Sequence, residues 1–261
     1  MRTIKAANFT PVEIDHMREA GQILASLFRD VRQEVVAGAT PKDIDAWFAR
    51  EIKARGAHAT YLDPDVNFPG VICISVNDVV VHGVPNDVPF EAGDVISFDL
   101  VVDVDGMKAD SAFTMLTDDA APTGAKKMLI HTTERSLYAG IDAVKRARGD
   151  VCVGNIGAAV QAVLEKEKLG VVRDLVGHGI GREMHEAPDI PNYGKRGIGP
   201  IVPTGNAIAI EPMATLGTWR VAFDPDGWTI RTRDGSLAAH FEHTLLLHDD
   251  GPEIITKLKE N

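Results

Sequence analysis

One apolar stretch that contains carboxylates, GDVISFDLVVDVDGMKADSAFTM at residues 93–115, places the strongest constraint on the fold of this chain. At its centre is Asp105-Gly106, with strand-like sequence on both sides. A two-residue type I′ turn needs positive φ at both central positions, and aspartate followed by glycine tolerates this better than most pairs. The stretch therefore predicts a β-hairpin whose two strands run antiparallel from this turn.

The register of this hairpin decides which side chains share a face. Counting back from a two-residue turn places Val101 opposite Asp110, and Asp99 lies two residues from Val101 on the same face. Asp99 and Asp110 are then diagonal neighbours, roughly 7 Å apart before their side chains reach inward. The other face carries the side chains that are expected to enter the core, which are Phe98, Leu100, Val102 and Val104.

Other charged residues also interrupt segments of core-like composition. Glu211 ends the apolar run AIAIEPM, Glu242 lies within FEHTLLL, and the glycine-rich VGHGIGREMHEAP supplies His178 and His185. A solvated sheet face explains any one of the carboxylates alone, and either histidine alone is typical of a structural or solvent-exposed residue. Burying several carboxylates, however, requires a positive partner. Four carboxylates and a histidine together indicate a binuclear divalent-metal site, in which bridging carboxylates screen the repulsion between the ions.

Composition excludes several classes of partner. The chain has 261 residues, 44% of them hydrophobic, and a formal net charge of −11, which disfavours nucleic acid and anionic membranes. Its only cysteines, Cys73 and Cys152, are too few for a disulfide framework, and MRTIKAANFTPVE lacks the apolar centre of a signal peptide. We expect a cytoplasmic globular protein without a membrane span.

The order of predicted elements indicates an α+β fold. Thr10-Pro11 and Thr40-Pro41 each begin a helix with a capping residue followed by proline, and an acidic residue follows three positions after each threonine. Strand-like runs follow at 71–76, 79–82 and 95–104. Helical composition returns at 124–148 and 156–168, before the strand-like AIAIEPM and FEHTLLL. This order, helices followed by strands, occurs twice, and it predicts two similar halves around one sheet.

Five motifs then extend over almost the whole chain: CISVNDVVVHGVP, FDLVVDVDGMKAD, GHGIGREMHEAPDIPNYG, IEPM and SLAAHFEHT. In this order and spacing they resemble the type I methionine aminopeptidases, metallopeptidases of the pita-bread (creatinase/aminopeptidase) fold. The resemblance implies two pseudo-symmetric helix-plus-strand halves around a central antiparallel sheet. It also implies a single metallopeptidase catalytic domain over residues 1–261.

The implied reaction is metal-dependent removal of the initiator methionine from nascent polypeptides with a small second residue. Carried over residue by residue, the metal ligands are Asp99, Asp110, His178, Glu211 and Glu242. By this similarity, Asp110 and Glu242 bridge two ions, Asp99 completes one, and His178 with Glu211 completes the other. The implied catalytic residues are His82, His185 and Glu211, with Glu211 as general base. The implied substrate-binding residues are Phe68, Cys73, His82, Met184, His185 and Trp228.

Cobalt, manganese, iron and zinc all suit oxygen and imidazole ligands, so the sequence leaves the metal open. The expected partners are the N-terminal methionine of nascent peptides and the ribosome, and a monomer is expected. The chain departs from the family pattern at four places, which are Asp65, Gly70, Asp78 and Lys108-Ala109. Two other interpretations remain: a peptidase of the same fold that cleaves before proline, and a metal-free protein of this fold that only binds a partner.

Overall fold

Two helices precede the long hairpin and two more follow it, in the predicted order. The computed structural model describes residues 2–259, so the predicted domain limits at residues 1 and 261 lie outside the described residues. The helices are α1 (Pro11–Asp30), α2 (Pro41–Ala54), α3 (Gly124–Ala147) and α4 (Val153–Lys166). The strands are β1 (His58–Ala59), β2 (Cys73–Val76), β3 (Val79–Val81), β4 (Val95–Val104), β5 (Met107–Leu116), β6 (Val151–Cys152), β7 (Gly170–Val171), β8 (Gly177–Gly179), β9 (Glu186–Ile190), β10 (Ile201–Val202), β11 (Ala207–Ile210), β12 (Met213–Thr215), β13 (Val221–Phe223), β14 (Ile230–Thr232), β15 (Ala238–His240), β16 (Glu242–His248) and β17 (Gly251–Ile254).

Both predicted helix starts form complete capping boxes. At α1, the N–H of Glu13 donates to Thr10 Oγ1 at 3.3 Å, and Glu13 Oε2 accepts the N–H of Thr10 at 2.7 Å. At α2, Thr40 and Asp43 make the same reciprocal pair at 3.2 and 2.9 Å. Each box satisfies backbone donors that the helix itself leaves free, so the local sequence sets where these helices begin.

Some element boundaries differ from the sequence prediction. Strand β3 ends at Val81 rather than at residue 82, because His82 has a φ of 55° and leaves the extended conformation. Helix α4 begins at Val153 instead of 156, and the preceding Cys152 makes no side-chain capping bond that the sequence would reveal. The first strand-like run is shorter at its start, since β2 begins at Cys73.

A nine-stranded antiparallel sheet forms the centre of the molecule. Its main path runs β1-β4-β5-β16-β11-β8-β9, with β2 paired to β4 and β17 paired to β16. The junction of the two halves is the pairing of β5 with β16, where Glu242 lies opposite Ala112. Strands from residues 95–116 and 207–248 therefore become neighbours, although 90 residues lie between these two ranges.

Aromatic packing covers one face of the β4–β5 hairpin. The rings of Phe98 and Phe113 stack with centroids 5.3 Å apart, Phe28 of α1 lies 4.7 Å from Phe113, and Phe48 of α2 lies 6.3 Å from Phe98. Phe98, Leu100, Val102 and Val104 all belong to this buried core, as predicted. Helices α1 and α2 thus occupy the apolar face, so Asp99 and Asp110 lie on the other face of the hairpin.

Candidate metal centre and substrate pocket

The hairpin has the predicted register. Asp105 and Gly106 have φ values of 48° and 82°, as a type I′ turn requires, and Val101 pairs with Asp110. Asp99 and Asp110 are consequently on one face, and both are buried, at 7% and 4% relative exposure. Ala109, one of the departures from the family pattern, pairs regularly with Val102 and does not disturb this register.

The second half of the sheet brings the other predicted ligands to the same place. Glu242 begins β16 beside β5, Glu211 follows β11, and His178 lies in β8, which pairs with β11. His178 Nε2 lies 3.4 Å from Glu211 Oε1 and 3.7 Å from Asp110 Oδ2. One donor atom from each of Asp110, His178 and Glu242 lies within 4.8 Å of the others. Five consecutive strands of the sheet, β4, β5, β16, β11 and β8, thus supply all five predicted ligands.

The electrostatics of this cluster favour a bound positive charge. Burial raises the pKa of Asp99 to about 7, against the effect of a hydrogen bond from Tyr61. Burial raises the pKa values of Asp110, Glu211 and Glu242 well above their usual range, and repulsion among the carboxylates raises them further. Clustered buried carboxylates therefore hold protons, unless another positive charge replaces those protons.

Buried oxygen atoms without hydrogen-bond partners indicate what would bind at the centre of the cluster. Asp110 Oδ1 and Glu242 Oε1 are buried and have no hydrogen-bond partner among residues 2–259. His178 Nδ1 lies 2.9 Å from the carbonyl oxygen of Gly179, so Nδ1–H donates there and leaves a lone pair on Nε2 directed at the carboxylates. Burial, and then His185, lowers the pKa of His178 to about 4, so its ring is neutral at pH 7. A neutral imidazole and carboxylate oxygens are the donor set of divalent cations, and the site fits them.

The two predicted non-ligand histidines lie beside this cluster. The rings of His185 and His178 meet edge to face with centroids 4.4 Å apart. His82 follows β3. Its burial and, to a smaller extent, the nearby His185 lower the pKa of His82 to about 4. Desolvation also lowers the pKa of His185, although this residue is exposed. Both rings are neutral at pH 7, so each offers one N–H donor and one acceptor.

A cluster of apolar side chains adjoins Asp99. The residues packed there are Tyr61, Phe68, Cys73, Val101, Val66, Val84, Met184 and Trp228. Phe68 meets Trp228 edge to face at 5.3 Å, and Trp228 meets His82 in the same way at 6.4 Å. The predicted residues Phe68, Cys73, His82, Met184 and Trp228 are therefore together in space. Cys73 pairs with Asp99 in the sheet, which joins the pocket to the carboxylate cluster.

Comparison with known proteins agrees with this geometry. Residues 15–249 match the family model described as metallopeptidase family M24. A methionine aminopeptidase of Clostridium perfringens is 39% identical over 247 residues, which is 95% of this chain and 97% of that protein. The crystal structure of a methionine aminopeptidase from Thermotoga maritima superposes with a TM-score of 0.91 at 37% identity, covering 97% of this chain and all of the other. This chain belongs to metallopeptidase family M24.

Membership of family M24 confirms the predicted resemblance and the pita-bread fold. Divalent metal use follows from the family and from the donor set of Asp110, His178 and Glu242. A prolidase from Pyrococcus furiosus has the same fold, with a TM-score of 0.73, but it is only 20% identical and this chain covers 65% of it. The Xaa-Pro interpretation is therefore not favoured. Among residues 2–259, no helix is long and apolar enough to cross a membrane.

Sequence reasoning missed two residues at this M24 site. The hydroxyl of Tyr61 donates to Asp99 Oδ1 at 3.1 Å from a short 3-10 turn, a segment that has no periodic pattern. His240, which ends β15, lies with its Nε2 4.0 Å from Glu211 Oε2. The available signal was the histidine directly before FEHTLLL, but a histidine in an apolar strand is also typical of a protein core.

The structure shows the surroundings of two residues that depart from the family pattern, Asp65 and Asp78. Asp65 is exposed, so it does not line the apolar pocket. Asp78 accepts a hydrogen bond from Arg231 at 2.9 Å, which ties the turn before β3 to β14. Neither change removes a member of the carboxylate cluster.

Proposed function

We propose that this chain is a metal-dependent methionine aminopeptidase that removes the N-terminal methionine from peptides. The observation that carries the proposal is the contact between a carboxylate–histidine cluster and an apolar side-chain cluster at Asp99. We propose that these apolar side chains line a pocket for methionine, so that a chain terminus bound there would present its amino group and first peptide bond to the carboxylates. The names of the relatives support the same reaction.

Two divalent ions are proposed, held by the five predicted ligands. Asp110 and Glu242 are suited to be shared, because each has a buried oxygen without a partner in the described part of the chain. Asp99 would complete one position, and His178 with Glu211 the other. Bound divalent ions lower the pKa of water and polarise a carbonyl group. Manganese, iron, cobalt and zinc all suit this donor set.

The chain's own residues have distinct proposed roles. Glu211 would accept the proton of the attacking water, since burial and neighbouring carboxylates raise its pKa and make it a stronger base. His82 and His185, as neutral rings, would donate hydrogen bonds to the substrate backbone and to the oxyanion that forms. Phe68, Cys73, Met184 and Trp228 would hold the methionine side chain, because thiol, thioether and aromatic groups suit its polarisable sulfur.

The setting of the reaction is also proposed. Residues 1–261 would act as one catalytic domain and as a monomer, on nascent polypeptides at the ribosome in the cytoplasm. Both cysteines are free and buried, which is compatible with a reducing compartment. The second residue of a substrate would have to be small.

Release of free methionine from Met-Ala-Ser tests this function. Chelator-treated protein should be inactive, and manganese, cobalt or iron should restore cleavage of Met-Ala-Ser but not of Met-Lys-Ser or Gly-Pro peptides. Asp110→Asn should remain inactive with every metal, because its carboxylate is proposed to join both ions. Asp105→Asn changes an exposed aspartate of the same hairpin and should retain full activity.

Each contrary result has a different meaning. Cleavage of a proline-containing peptide alone would favour the Xaa-Pro interpretation. Folded protein that releases nothing with any metal would contradict the enzyme proposal and favour the metal-free binding protein. Equal activity of the Asp110→Asn and Asp105→Asn variants would contradict the proposed ligand set.

A further inference from the structure

His240 is a buried histidine beside Glu211 that none of the roles above uses. It ends β15 and pairs with Met213 in β12, and it is only 2% exposed. The backbone N–H of His240 donates to Thr114 Oγ1 at 2.9 Å, and the Thr114 hydroxyl donates to the backbone carbonyl oxygen of His240 at 2.8 Å. Two strands therefore fix the backbone from which the ring projects.

The ring itself has no hydrogen bond from the described residues. Neither Nδ1 nor Nε2 of His240 has a partner within residues 2–259, although both are fully buried. Leaving a buried polar group unpaired is destabilising, so an apolar residue would be more stable at a purely structural position. Most such groups in native proteins have a partner, and an unpaired one calls for a functional explanation.

Glu211 is the carboxylate nearest to the ring. His240 Nε2 lies 4.0 Å from Glu211 Oε2, while the other oxygen of Glu211, Oε1, lies 3.4 Å from His178 Nε2. The two histidines therefore flank Glu211, one at each carboxylate oxygen. Hydrogen bonds at active sites are often long before ligands bind and tighten afterwards, and closure by about 1 Å gives a bond here.

We propose that His240 is a positioning residue, whose Nε2–H donates to Glu211 Oε2 and holds that carboxylate in place for metal binding and proton transfer. An imidazole ring can carry its N–H on Nε2 and donate from there. The inference rests on the proposed role of Glu211. It predicts that the donor at Nε2 matters, and that the volume and the Nδ1 position of the ring do not.

Three substitutions separate a donor from a structural role. His240→Gln keeps an N–H at the reach of Nε2, His240→Asn keeps one at the reach of Nδ1, and His240→Leu keeps the approximate volume without a donor. Losing a group that orients a metal ligand typically costs roughly 10- to 100-fold in metal affinity or activity. We expect losses of this size for the leucine and asparagine variants and near-native behaviour for the glutamine variant.

The decisive measurement is the affinity of each chelator-treated variant for manganese, by titration calorimetry, together with its urea midpoint. The leucine variant should be at least as stable as the parent in the metal-free state, since it removes an unpaired polar group, and yet bind manganese more weakly. In the methionine-release assay it should lower kcat with little change in KM. Manganese affinity that is the same in all four proteins, or lost equally in all three variants, would overturn the role of His240.

These experiments distinguish a failure of the proposed function from a failure of the His240 proposal. If the parent protein binds manganese but releases no methionine, the proposed function fails, while the manganese titrations still test His240. If methionine release is normal and the glutamine variant is as impaired as the leucine variant, the His240 proposal fails alone.

Discussion

Lys108 is a buried cation that links the hairpin to the segment carrying Met184 and His185. Its ammonium donates to Asp103 Oδ2 at 3.2 Å and to the carbonyl oxygen of Arg182 at 2.9 Å. The side chains of Lys108 and Asp103 are only 11% and 15% exposed. We expect Lys108→Met, which keeps most of the side-chain volume, to destabilise the protein strongly.

The expected loss in the free energy of unfolding follows from Asp103, whose carboxylate would stay buried without its cation. Removing one partner of a buried ion pair typically costs roughly 3–5 kcal/mol, because the other charge stays buried without compensation. Asp103 keeps one hydrogen bond, from the N–H of Gly106 at 2.8 Å, and retains some exposure to solvent. The lower end of the range is therefore expected, about 3 kcal/mol of the free energy of unfolding. KM for a methionine peptide should also rise, because the carbonyl of Arg182 loses its donor.

Urea unfolding of the metal-free protein measures this change, and two controls define it. Lys42→Met breaks an exposed pair with Asp87, whose side chains are 56% and 78% exposed, and should cost less than about 1 kcal/mol. Adding Asp103→Asn to Lys108→Met removes the unpaired charge and should recover much of the lost stability. A Lys108→Met variant no less stable than Lys42→Met, or a double variant no more stable than the single one, would refute the reasoning.

Three further predictions concern the site. Tyr61→Phe should weaken manganese binding roughly tenfold, since it removes the donor to Asp99, and calorimetry that finds equal affinity would exclude this role. Raising the pH from 7 to 8.5 should lower the urea midpoint of metal-free protein. The buried carboxylates, whose pKa values are raised, must then ionise in the folded state, whereas the unfolded chain lost those protons near pH 4. The buried histidines are mostly neutral in both states across this window, so the carboxylates dominate the change. Saturating manganese should flatten the profile, and a midpoint that rises with pH would contradict the burial argument. Phe68→Ala should raise KM for Met-Ala-Ser about tenfold by removing one wall of the pocket, and unchanged kinetics would place the methionine elsewhere.

Local rules made much of the fold predictable. The Asp105-Gly106 turn and the alternation of residues 95–104 determine the hairpin register, because a turn type and a period of two leave one solution. The capping boxes at Thr10 and Thr40 likewise involve residues three positions apart. These features depend on neighbours along the chain, which is why sequence alone was sufficient for them.

The candidate ligands were predictable for a different reason. A carboxylate within an apolar strand conflicts with burial, so each of Asp99, Asp110, Glu211 and Glu242 is conspicuous without any knowledge of its partners. The resemblance to a known family then connected them. The individual roles of these residues stay predictions that the experiments above test.

The contacts of Tyr61, His240 and Lys108 were decided by the tertiary structure alone. Tyr61 reaches Asp99 across 38 positions, and Lys108 reaches the carbonyl of Arg182 across 74. His240 approaches Glu211 only because β15 pairs with β12, which follows Glu211. Such contacts depend on the pairing of distant strands, and a hydrophobic or charge pattern records which face a residue occupies but not which residue it meets there. The sequence by itself thus determined the turns, the helix starts and the unusual charges, and the tertiary structure decided their partners.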